Sequence, residues 1–180
     1  MAKRLVIVIA GVTCGGKTTI ANRLVDIFNN ISILHQDDFY YTKHEDHLES
    51  IPELNYHAWD KISAYNMNEM MIAIDSQTSN ILVLEGILLL DDIRILNLAD
   101  LIFFTVLDKK NCWDRRVTRT YLPPEPPGYF DKYAWPEYEK HFEKIKKKSN
   151  VIFLNGTDSI DFNTSIIVNH INQLLLSLKQ

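Results

Sequence analysis

The chain has 180 residues, 46% of them hydrophobic and 23% charged, which suits one domain over residues 1–180 with a sizeable core and excludes a disordered chain. A formal net charge of -4 argues against a nucleic-acid surface, which is usually basic. Two cysteines, Cys14 and Cys112, make neither a metal spacing nor a disulfide framework, and beside a nucleotide loop they suit a reducing, cytoplasmic setting.

Residues 5–10 form a continuous apolar run, read as a buried parallel strand. It resembles the start of a signal peptide but runs straight into Gly11-Val12-Thr13-Cys14-Gly15-Gly16-Lys17-Thr18. That stretch fits the G-x-x-x-x-G-K-[ST] phosphate-binding loop at every fixed position. Ile20, Ala21, Leu24, Val25, Ile27 and Phe28 then recur at helical spacing. Backbone N–H groups at such a strand–helix junction form a concave anion site. Lys17 would reach the β- and γ-phosphates, and the Thr18 hydroxyl would ligate Mg²⁺.

Residues 31–35 read as a second strand ending in Gln36-Asp37-Asp38-Phe39-Tyr40. Ligands in open α/β sheets bind at carboxyl ends of strands. A carboxylate there can accept the proton of a substrate hydroxyl facing the γ-phosphate. Asp37 is favoured over Asp38. Residues 42–57 are polar; His44-Glu45-Asp46-His47 reads as a solvated loop in preference to a metal cluster. Trp59 and Asp60 precede a helix with Ile62, Met67, Met70, Met71 and Ile74, whose methionines read as core. Asp60 either caps that helix or joins Trp59 as a pocket wall and hydroxyl acceptor.

A third strand over residues 80–84 ends at Glu85-Gly86. A carboxylate there can orient the Mg²⁺ shell or bind a substrate hydroxyl. The surrounding apolar run, 81–90, is interrupted by Glu85 and too short to span a bilayer, so no membrane partner is expected. A short helix or turn (91–98) and a fourth strand (101–107) follow. Asp108 reads as the N-cap of a helix carrying Arg115, Arg116 and Arg119, with Arg119 on the face of the other two. Clustered arginines near a phosphate loop suit a clamp over phosphoryl oxygens. Residues 121–135 hold four prolines, Gly128 and five aromatics. They read as a stiff loop outside the core that acts as a lid, within a lid segment of about 115–135. Pro136 starts a charged helix, residues 151–154 are a fifth strand, and 159–178 are a final amphipathic helix with His170 packed. Alternating strands and helices imply a parallel sheet covered on both faces.

Several of these stretches together resemble the nicotinamide riboside kinases. They are Gly-Val-Thr-Cys-Gly-Gly-Lys-Thr-Thr at 11–19, Gln-Asp-Asp-Phe-Tyr at 36–40, Trp-Asp before the Met-rich helix, Leu-Glu-Gly at 84–86, and the proline–aromatic lid. The resemblance runs from Leu5 to about Asn155. It implies the P-loop kinase fold, an α/β architecture of five parallel strands ordered 2-3-1-4-5. The implied reaction is ATP- and Mg²⁺-dependent phosphorylation of the ribose 5′-hydroxyl of nicotinamide riboside, giving nicotinamide mononucleotide for NAD biosynthesis. It puts the base at Asp37, ribose contacts at Asp60 and Arg116, and the pyridinium ring between Trp59 and Tyr121. Glu85 matches an acidic residue near metal and acceptor, and Arg119 a lid-side arginine facing the phosphates.

The expected nucleotide contacts are therefore Gly11, Val12, Thr13, Cys14, Gly15, Gly16, Lys17, Thr18, Thr19 and Arg115. Thr18, Asp37 and Glu85 are expected around the metal, and the protein is expected to be a monomer. Trp59 stands where tyrosine is expected and Glu125 where aspartate is common; the loop 41–56 does not align. The rival readings are a uridine, cytidine or pantothenate kinase, a nucleotide switch, or a proline-segment interaction module. A guanine switch would need an Asn-Lys-x-Asp signature, which the sequence lacks.

Overall fold

A computed structural model describes residues 4–41 and 48–178 of the chain. His44-Glu45-Asp46-His47 lies outside the described residues.

Strands β1 (Leu5–Gly11), β2 (Ile31–His35), β3 (Ile81–Glu85), β4 (Leu101–Val106) and β5 (Val151–Asn155) form one parallel sheet in the order β2-β3-β1-β4-β5. This is the order that the family resemblance implied. Side chains of a strand alternate between faces, and in β1 both faces are apolar. Val6, Val8 and Ala10 face one core, while Leu5, Ile7 and Ile9 face the other. The first is covered by Met70 and Ile74 of α2 (Met67–Ser76), Ile95 of α3 (Ile93–Leu98), and Ile145 of α5 (Trp135–Ile145). The second is covered by Ile20 and Leu24 of α1 (Lys17–Ile27) and by Ile167 and Ile171 of α6 (Ile160–Ser177).

Of the two caps weighed from the sequence, Asp108 is present. Asp108 accepts from the Asn111 N–H at 2.9 Å at the start of α4 (Lys109–Arg116), and Ser159 caps α6. His170 is packed, its Nδ1 2.8 Å from the Ile166 carbonyl and its ring edge-on to Phe103.

Three readings are corrected. Asp60 does not cap α2: a short 3₁₀ turn, Ile62–Ala64, intervenes, and Asn66 is the cap. Arg119 shares no helix face with Arg115 and Arg116, because α4 ends at Arg116. The lid stretch is not wholly outside the core either. Tyr129, Phe130, Ala134 and Trp135 are buried in a third cluster with Val12, Ile51, Leu107 and Cys112. Prolines punctuate the first half of that stretch; the aromatics of the second half gain too much from burial to stay in water.

Candidate active site

The carboxyl ends of β1, β2 and β3 meet where α1 begins. Asn66, Asp92, Asp108 and Ser159 cap their helices with side chains, but α1 starts on Gly16, at φ 86°, with no side-chain cap. Its first N–H groups are left to an anion. Lys17 is buried, and its Nζ donates to the Val12 carbonyl at 2.8 Å. Burial lowers its pKa, while Glu85 and Asp37 draw it back.

Around this loop lies a cavity of about 50 Å³ that includes Lys17, Thr18, Asp37, Glu85 and Arg119. The Thr18 hydroxyl donates to Glu85 Oε2 at 3.1 Å, and His35 Nδ1 lies 2.8 Å from the same oxygen. Thr18 and Thr19 are exposed; Glu85 is buried. A hydroxyl and two carboxylates are a set of hard oxygen donors, so these residues fit Mg²⁺. Among the described residues no cluster of three His, Cys, Asp or Glu side chains forms a softer metal site.

A second cavity, of about 270 Å³, adjoins the first and shares Thr13, Asp37, Ile87 and Arg119 with it. Trp59 and Tyr121 both line it. So do Asp60, Arg116 and Glu125. Arg116 is the hub of its floor. Its Nε donates to Glu125 Oε2 at 2.9 Å and its Nη2 to the same carboxylate, while Nη1 donates to the Thr13 hydroxyl at 3.2 Å. Its Nη2 lies 3.7 Å from Asp60, and its plane sits 4.8 Å from the centre of the Tyr121 ring. Burial opposes its charge, but Glu125 and Asp60 outweigh that, and its pKa is raised. Asp60 accepts from the Tyr129 hydroxyl at 2.9 Å. Burial pushes its carboxyl up, with Arg116 and Tyr129 opposing. Asp37 opens onto the cavities yet has protein on most sides; that desolvation raises its pKa, and Lys17 pulls it down.

Arg115 sits elsewhere. It donates to the Cys14 carbonyl at 3.1 Å and the Gly156 carbonyl at 2.9 Å, tying the phosphate loop to the turn after β5. Both cysteines are free thiols, and burial pushes Cys112 up to about 12. Sequence reasoning did not single out Tyr40, Tyr65, Tyr129 or His35 as site residues. Each reaches its partner from a distant segment, and only Tyr40 and His35, which flank the Gln-Asp-Asp-Phe element, carry a local hint.

Two solved structures share the fold. A gluconokinase from Sinorhizobium meliloti 1021 aligns with a TM-score of 0.60 at 11% identity, covering 98% of each chain. A shikimate kinase from Aquifex aeolicus vf5 aligns at 0.59 and 16% identity, covering 96% of this chain and 99% of that one. With this sheet order and this phosphate loop, the chain has the P-loop kinase fold.

No protein-family model matches it. Among curated proteins, nicotinamide riboside kinase 1 of Mus musculus is 36% identical over 175 residues, 87% of this chain and 88% of that protein. The Homo sapiens protein of the same name is 34% identical, covering 87% of this chain and 86% of that one. Uridine kinase-like protein 5 of Arabidopsis thaliana is 23% identical and matches over 43% of its own length. The chain belongs to the nicotinamide riboside kinase family, and it is an enzyme. No helix among its described residues is long and apolar enough to cross a membrane.

Proposed function

We propose that this enzyme transfers the γ-phosphoryl group of ATP, with Mg²⁺, to the ribose 5′-hydroxyl of nicotinamide riboside. The product is nicotinamide mononucleotide, a precursor of NAD. The observation that carries this reading is the pair of adjoining cavities: the phosphate-loop cavity and the aromatic, acidic one share Asp37 and Arg119 at their junction. A hydroxyl entering from one side there faces a phosphoryl group held on the other.

Thr18, Glu85 and Asp37 would hold Mg²⁺, which would supply positive charge to the phosphate oxygens. The loop N–H groups and Lys17 hold the β- and γ-phosphates. Asp37 accepts the proton of the 5′-hydroxyl, and Arg119 balances charge on the transferring oxygens. Asp60 and Arg116 hold the ribose hydroxyls. Residues 1–180 act as one kinase domain, as a cytoplasmic monomer that recognises a small molecule and no nucleic acid.

Nicotinamide riboside carries a fixed positive ring charge. Between Trp59 and Tyr121 such a cation gains about 0.5–2 kcal/mol from the aromatic faces. Trp59→Ala is therefore expected to raise KM for the riboside by roughly 2- to 30-fold and KM for ATP far less. Equal rises for both substrates would remove Trp59 from the acceptor site. The assignment itself is tested by ADP release with Mg-ATP and, separately, nicotinamide riboside, uridine, cytidine and pantothenate. A large rate with the riboside alone supports it. Preference for uridine or pantothenate would leave the phosphate loop, Asp37 and the arginines in role but overturn the acceptor.

A further inference from the structure

Two phenols stand behind Asp37, Tyr65 buried and Tyr40 partly buried, and the reaction as described uses neither. Tyr65 is 3% exposed. Its hydroxyl lies 3.5 Å from Asp37 Oδ1 and is hydrogen-bonded to the Tyr40 hydroxyl. The two rings stack with centroids 4.2 Å apart. Tyr40 also lines the acceptor cavity and meets the Trp59 ring edge-on at 5.5 Å.

The backbone holds this pair from both sides. The Tyr41 N–H donates to the Ala64 carbonyl at 3.0 Å, and the Asn66 N–H to the Phe39 carbonyl at 2.7 Å. A bridge between Tyr40 and Tyr65 lies between these two bonds. The hydroxyls are thus positioned by main chain and stacking, with no need of a ligand. A phenol ordinarily ionises near pH ~10, so each keeps its proton in neutral solution.

We propose that Tyr65, oriented by Tyr40, is a positioning residue that holds the carboxylate of Asp37 for proton acceptance. Three oxygens share two protons here. The Tyr65 hydroxyl is the donor in both contacts, and the carboxylate is the stronger acceptor of its proton, while the Tyr40 oxygen holds the Tyr65 phenol in place. That arrangement fixes one carboxylate oxygen and leaves Oδ2 to take the proton of the acceptor hydroxyl. The 3.5 Å approach is long for a hydrogen bond. The inference rests on reading Asp37 as the base.

The test is steady-state kinetics of Tyr65→Phe, Tyr40→Phe and the double variant, with Mg-ATP and nicotinamide riboside. Phenylalanine keeps both rings and the main-chain contacts, and melting followed by circular dichroism checks the fold. Tyr65→Phe is expected to lower kcat roughly tenfold, with both KM values within about twofold of wild type. Tyr40→Phe is expected to cost about threefold and to add nothing in the Tyr65→Phe background, because it acts through the Tyr65 hydroxyl. Unchanged kcat in Tyr65→Phe, a loss confined to KM, or losses that multiply in the double variant would each overturn the proposal. If Tyr65→Phe does not fold, full kcat in Tyr40→Phe overturns it. Wild-type turnover separates this from the substrate assignment. An enzyme idle on the riboside contradicts that assignment, and the same kcat ratios on the acceptor it does use still decide the role of the two hydroxyls.

Discussion

Asp37→Asn is expected to lower kcat by roughly 10²- to 10⁴-fold while leaving the fold intact, the range for a lost general base. Asparagine keeps the size of the side chain and its hydrogen-bonding reach but cannot take a proton from the acceptor. Asp37 stands at the junction of the two cavities, with Lys17 and Arg119 around the phosphate side. A base works only when deprotonated, so the wild-type rate should fall as pH drops through the pKa of Asp37. Desolvation raises that pKa above the ordinary 3.8, against the pull of Lys17, so the acid limb should begin above the usual carboxylate range. The Asn variant should lack this limb. Near-normal turnover by Asp37→Asn would overturn its role as base and pass it to Asp38 or to positioning alone, which a loose phosphoryl-transfer transition state tolerates.

Gly11→Ala is expected to be the most damaging small change to stability. Gly11 ends β1 at φ 124°, a backbone conformation that L side chains rarely adopt. A Cβ there would lie 2.2 Å from the Thr105 carbonyl oxygen and 2.5 Å from the Thr105 nitrogen. Those atoms belong to β4, whose register with β1 pairs Thr105 with Gly11, so they cannot retreat without opening the sheet. Backbone strain and overpacking together should cost about 3–5 kcal/mol. For a chain of this size that lowers Tm by about 10 °C or more. Gly128→Ala is the control. Its φ is also positive, at 85°, but no atom lies within 4 Å of the added carbon, so only strain of about 1 kcal/mol remains. Equal Tm values for the two variants would show that the contact with Thr105 is not what restricts position 11.

The contrast between Gly11 and Gly128 also marks where sequence reading stops. Gly11 is legible from the motif, because a phosphate loop demands a tight turn at that spacing. That its carbon-free side presses on Thr105 is a contact between residues far apart in the chain. Much of the local structure was readable in the same way. The loop at 11–18, the cap at Asp108, and the strands β1 and β2 depend on neighbours within a turn or on strict periodicity. The parallel sheet followed from alternation of strands and helices, but its order came only from the family resemblance.

Other features were decided by the tertiary structure. Arg119 was placed on the face of α4 by counting, yet the helix ends at Arg116 and the chain turns away toward the cavities. The lid stretch looked like loop because proline is a local signal. The burial of Tyr129 and Phe130 is a tertiary event that proline content does not report. Asp60 could be a cap or a pocket residue on spacing alone. The Tyr129 hydroxyl, 69 residues away, settles its carboxylate beside Arg116.

By itself, then, the sequence determined that a phosphate-loop motif lies between a strand and a helix, which residues flank that loop, and the family it resembles. Loop and periodicity are short-range properties, and short-range geometry is nearly independent of the rest of the fold. Only the tertiary structure decided that Asp37 and Arg119 sit between two joined cavities, that Glu125 holds Arg116, and that Tyr65 and Tyr40 stand behind Asp37. Those arrangements depend on packing segments separated by tens of residues. Burial and desolvation at such contacts set both position and charge, and neither is written in the order of neighbours along the chain.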